Sequence, residues 1–67
     1  MNRAIAYFEV LQAMLDCIEA RGRRGLPSGE LYAMVMGAMS LETYERIIAI
    51  FKAAGKVYEE HNVLYKR

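Results

Sequence analysis

PSGELYAMVMGAMSLETYERIIAIFKAAGKVYEEHNVLYKR, residues Pro27 to Arg67, is the stretch that decides the fold. Pro27 disfavours helix in the residue before it, and the Ser28 hydroxyl can accept from the free amides of a first turn. The spacing therefore predicts a helix that opens at Ser28 and buries Leu31, Met34 and Val35. Gly37 marks its end, because Met36-Gly37-Ala38-Met39 is too short for more than a tight connection. Ser40 offers a second N-cap, Glu42 in the turn after it suits the helix dipole, and Met39 and Tyr44 stand at the spacing of a hydrophobic staple. Leu41, Tyr44, Ile47, Ile48 and Phe51 form the apolar stripe of this helix, and Ala54-Gly55-Lys56 ends it with a glycine able to take the left-handed cap. Beyond it, Lys56-Val57-Tyr58-Glu59 and Val63-Leu64-Tyr65-Lys66 are rich in β-branched and aromatic residues, with the turn-tolerant Glu60-His61-Asn62 between them. Two antiparallel strands follow. A lone hairpin is marginal in water, so this one must pack on the helices through Val57 and one face of Val63 to Tyr65.

Upstream, Asn2 to Ala20 holds no Gly or Pro, and Ile5, Phe8, Leu11, Leu15 and Ile18 recur at helical spacing. A second row, Tyr7, Val10, Met14 and Cys17, widens the apolar arc to roughly half the circumference, where a surface helix normally shows a little over 100°. Glu9, Gln12, Asp16 and Glu19 fill the other side. An arc that wide can meet its own domain with one edge and a second copy with the other, which makes Tyr7, Val10, Met14 and Cys17 the expected seam of a homodimer. The alternative is that the two later helices cover the whole arc. Between the helices, Arg21-Gly22-Arg23-Arg24-Gly25-Leu26-Pro27 reads as a mobile basic loop, and its guanidinium groups suit forked contacts to phosphate.

The chain is one domain of 67 residues, at which size folding buries only about 60% of the surface the unfolded chain exposes. Nine basic and eight acidic residues leave a net charge of +1, so any nucleic-acid contact must come from local clustering. No apolar run approaches the ~20 residues of a membrane span, and the expectation is a soluble, cytoplasmic protein. Cys17 is the single cysteine and behaves most simply as a small buried hydrophobe. One His, one Cys and the lack of a Gly-rich phosphate loop or paired metal-ligand motif argue against an enzyme and imply no cofactor or metal.

Leu31-Tyr32, the Gly37 turn, the Ile47-Ile48-Phe51 stripe and Gly55-Lys56-Val57 before a hairpin together resemble the winged helix-turn-helix superfamily over residues 26 to 67. The resemblance implies a three-helix core whose third helix enters the major groove of double-stranded DNA while the wing touches the backbone beside it. Two departures stand out: the usual first strand shrinks to Leu26 and its neighbours at most, and the presumed recognition helix opens with acidic residues. The expected architecture is α+β and mainly α, with a first helix at 2–20, the basic loop at 21–27, the helix-turn-helix at 28–54 and a two-stranded hairpin at 56–66.

On the third helix Glu42, Glu45, Arg46, Ala49, Lys52 and Ala53 face outward, with Thr43 near the edge. Arg46 could fork onto a guanine edge, and Thr43 could reach a base or a phosphate. The expected DNA contacts are Thr43, Arg46 and Lys52 from this helix, Lys56 and His61 from the wing, and Arg21, Arg23 and Arg24 from the loop. From Ser28 onward, however, five basic residues (Arg46, Lys52, Lys56, Lys66, Arg67) meet five acidic ones (Glu30, Glu42, Glu45, Glu59, Glu60). The alternative function is a winged-helix protein-interaction module without DNA binding, for which Met14, Met34, Met36 and Met39 would supply an adaptable surface.

Overall fold

The computed structural model describes the backbone of residues 3–67 and the side chains from Tyr7 onward. The chain runs α1 (Arg3–Arg21), a 3-10 turn (Gly22–Arg24), β1 (Leu26–Pro27), α2 (Ser28–Val35), α3 (Leu41–Ala53), β2 (Val57–Glu60) and β3 (Val63–Lys66). Three helices and a small antiparallel sheet make a mainly helical α+β molecule, compatible with a winged-helix-like fold. Among the described residues, no helix is long and apolar enough to cross a membrane.

The hairpin gains a partner that the sequence only hinted at. The sheet has three strands in the order β1-β3-β2, and β1 sets Leu26 opposite Leu64 and Pro27 opposite Val63. The segment expected as a mobile basic loop is therefore ordered: Arg21 ends α1, the next three residues wind into the 3-10 turn, and Leu26–Pro27 extend the sheet. Pro27 carries no amide hydrogen and suits an edge strand that has only one neighbour to bond.

Alternation on the strands decides what meets the helices. Leu26, Val57 and Leu64 point inward and are buried with Met14 and Ile18 of α1, Leu31 of α2 and Tyr44, Ile47, Ile48 and Phe51 of α3. Val10, Leu11, Leu15, Cys17, Tyr32, Val35 and Met39 close around this cluster as half-buried neighbours. Two residues expected inside are outside: Met34 is 54% exposed and Leu41 51%. Both stand near helix ends and line open grooves rather than the closed core.

Helix ends follow local chemistry, with one correction. The Ser40 Oγ accepts from the Thr43 amide at 3.2 Å, as an N-cap should. At the other end of α3 the Lys56 amide donates to the Phe51 carbonyl at 2.9 Å and the Gly55 amide to Lys52 at 3.0 Å, a Schellman closure with Gly55 at φ +73°. Ser28, by contrast, does not cap α2: it is the first helical residue, Pro27 occupies the cap position, and the hydroxyl turns to Tyr44 instead. Gly37 marks the end of α2 as expected, directly after the Met36 cap position. The helix ends at Val35, whose carbonyl accepts from Ala38 at 2.8 Å and Met39 at 3.2 Å, and Gly37 does not adopt a positive φ.

Candidate nucleic-acid interface

Three elements converge on one cleft. Its walls are Ser28, Gly29 and Tyr32 of α2, Leu41, Tyr44, Glu45, Ile48, Ala49 and Lys52 of α3, and Glu59 with Asn62 of the wing, around a space of about 350 Å³. Tyr44 anchors the corner. Its hydroxyl donates to the Ser28 carbonyl at 2.9 Å and lies 2.9 Å from the Ser28 Oγ, which completes the pair by donating back. Burial pushes the Tyr44 phenol above its ordinary pKa, against the lowering effect of the Ser28 hydroxyl. The Tyr32 ring tilts against it with centroids 5.1 Å apart.

The wing is fastened to this corner. The Ser28 amide donates to the Asn62 carbonyl at 2.8 Å, joining the first residue of α2 to the hairpin turn. Glu60 opposes Val63, so the turn is the two residues His61 and Asn62, with φ of +52° and +65°. Paired positive φ values match the twist of the flanking strands, which is why two-residue hairpins favour them.

The expected contact residues divide among three places. Thr43, Arg46 and Lys52 lie on α3, and Arg46 and Lys52 are exposed. Each of these two cations already has a carboxylate: Arg46 bonds Glu42 at 2.9 Å one turn back, and Lys52 pairs with Glu59 of β2. Thr43 is half-buried and engaged by the Ser40 hydroxyl at 3.1 Å. Arg21 pairs with Glu30 at the start of α2. His61 is exposed at the wing tip, and Lys56 lines a separate groove with Gln12, Leu15 and Glu19 of α1. Arg23 and Arg24 are exposed and, like Lys56, have no carboxylate within salt-bridge distance among the described residues.

Arg23 faces the opposite side of the wing from α3. Since Glu59 lines the α3 cleft, alternation turns Tyr58 to the other face, where it shares an open cleft of about 450 Å³ with Glu19, Gly22, Arg23, Tyr65, Lys66 and Arg67. The cations expected to act together thus sit on two faces of one thin sheet.

The row expected as a dimer seam also divides. Met14 is 1% exposed and belongs to the core of the single chain. Val10 and Cys17 are half-buried along a groove of about 310 Å³ shared with Leu31, Met34, Val35 and Ala38, while Tyr7 and its neighbour Phe8 stand clear, Phe8 at 67%. Comparison with protein-family models, with curated proteins and with solved structures finds no match to the chain.

Proposed function

We propose that this chain is a small DNA-binding regulator or accessory protein of the winged helix-turn-helix type. The observation that carries the reading is the corner where Ser28 bonds both Tyr44 and Asn62, which sets α2, α3 and the wing around one open side. Along that side Arg46, Ala49 and Lys52 are uncovered and the alanine permits close approach of a groove. The carboxylates on the same face weaken the attraction, but an exposed ion pair such as Arg46–Glu42 contributes only about 0–1 kcal/mol, so DNA competes for Arg46 at small cost. Arg23, Arg24 and Lys56 add a field that draws in a polyanion from any side.

Fluorescence anisotropy of a labelled mixed-sequence duplex, titrated at several salt concentrations, tests this reading. Contact with about three phosphates gives a log–log salt slope near −2.7, and Lys52→Ala lowers its magnitude by about 0.9. Arg46→Ala alone should shift sequence preference, whereas Arg23→Ala with Arg24→Ala should weaken all sequences alike. A duplex that does not bind at the lowest salt removes the proposal.

A second reading is a protein-interaction module, favoured by the exposed apolar side chains Met34, Met36, Leu41 and Ile50 on α2, the connection after it and α3. Such a surface would hold its partner with little dependence on salt. Either function is compatible with self-association through α1, for which the exposed Tyr7 and Phe8 and the half-buried Val10 and Cys17 remain available while Met14 is taken up by the core.

A further inference from the structure

The outer face of the wing carries a juxtaposition that neither α3 nor the dimer seam uses. Tyr58 and Tyr65 are directly opposed across β2 and β3, with ring centroids 5.0 Å apart and planes 18° from parallel. The Arg67 guanidinium lies over the Tyr58 ring with its central carbon 5.9 Å from the centroid. Arg23 of the 3-10 turn lines the same cleft, and neither arginine has a carboxylate partner among the described residues. Glu19, the one acid at the rim, is occupied by Lys66 at 3.3 Å.

We infer that this face binds single-stranded nucleic acid, with an unpaired base stacked on Tyr58 beneath the Arg67 guanidinium and the flanking phosphates held by Arg23 and Arg67. The inference rests on the nucleic-acid reading above and extends it to a second surface and a second form of the ligand. A duplex offers only base edges and phosphates, whereas an aromatic platform needs the face of a base, which an unpaired nucleotide or a frayed end supplies. Holding a base between two planar groups takes about 7 Å, twice the ~3.4 Å spacing of stacked bases. The present 5.9 Å falls short by about 1 Å, and Arg67 breaks no ion pair in moving that distance. A base in that gap gains a ring on one side and a cation on the other.

The test compares a labelled twelve-residue oligothymidine with a duplex of the same length, in anisotropy titrations of the full chain and its variants. Tyr58→Ala should weaken oligothymidine binding by about tenfold or more and duplex binding by less than twofold, while Tyr58→Trp should restore the former. Arg23→Ala with Arg67→Ala should reduce the single-strand salt slope by about 1.4. Circular dichroism keeps the variants comparable, since Tyr58 is partly exposed on an edge strand and its loss leaves the core intact. Oligothymidine binding unaffected by Tyr58→Ala overturns the inference, and if the duplex still binds through Arg46 and Lys52 the reading beneath it stands. Failure of both probes to bind overturns both.

Discussion

Among the glycines, Gly25 is the one at which an added side chain has least room. Its φ of +73° and ψ of 172° lie in a region that is essentially reserved for glycine, and an added Cβ would come within 2.6 Å of both the Val63 Cγ1 and the Tyr65 ring. Gly25→Ala should therefore cost about 3 kcal/mol or more in a denaturant titration, a large part of the roughly 3–10 kcal/mol expected for a chain of this length. Gly37→Ala is the control: a Cβ there meets nothing, φ is not positive, and the change should be neutral or stabilise by up to about 1 kcal/mol. Tyr44 offers a second test. Tyr44→Phe removes the hydrogen bonds that join α3 to Ser28 and should cost about 1–2 kcal/mol at neutral pH. Because burial raises the folded-state pKa of the phenol, its neutral form is favoured by folding. That contribution is fully present below the ordinary tyrosine pKa of about 10 and is lost as pH rises through the folded value. The stability gap between wild type and Tyr44→Phe should accordingly narrow on going from pH 8 to pH 11, and a gap that stays constant would contradict the assignment.

Among the elements, those with short-range signals were legible in the sequence. Ser40, the Gly55 cap, the Tyr44-Ile47-Ile48-Phe51 stripe and the hairpin each depend on residues within one or two turns of one another, and each stands where the pattern put it. What the pattern misplaced depended on partners far along the chain. The Ser28 hydroxyl has a local role open to it as a cap, yet it is taken by Tyr44 sixteen residues on, and β1 exists only because β3 is there to pair with it. The same holds for the site: the outward face of α3 could be read from the wheel, but not that Glu59 would take Lys52 or that Glu30 would take Arg21. The Tyr58–Tyr65 platform did leave a signal, since counting outward from a two-residue turn at His61-Asn62 places those rings opposite each other. That turn carries its own prediction. Both residues hold positive φ without being glycine, so His61→Asn with Asn62→Gly, the pair most suited to such a turn, should raise the denaturation midpoint by the equivalent of about 1 kcal/mol. A lowered midpoint would mean that the His61 side chain makes a contact the backbone geometry does not require.

For the molecule as a whole, the apolar surface left on α1 is the ground for proposing a dimer. Tyr7 and Phe8 stand exposed beside the groove of Val10 and Cys17, and a small domain gains most from covering such surface with a second copy. Sedimentation over a wide concentration range should show a dimer that dissociates on dilution, and Phe8→Glu should leave a monomer with unchanged circular dichroism. A wild-type chain that stays monomeric throughout would leave this surface to a different protein. The bond from the Ser28 amide to the Asn62 carbonyl has a wider effect than joining two residues. It fixes the wing to the helical body, as one jaw of a calliper is fixed to its frame, so the opening between α3 and the hairpin is set before any ligand arrives. A ligand of the proposed kind would thus be gauged by width, and residues inserted at the wing tip would alter what fits even if every charge on α3 were kept.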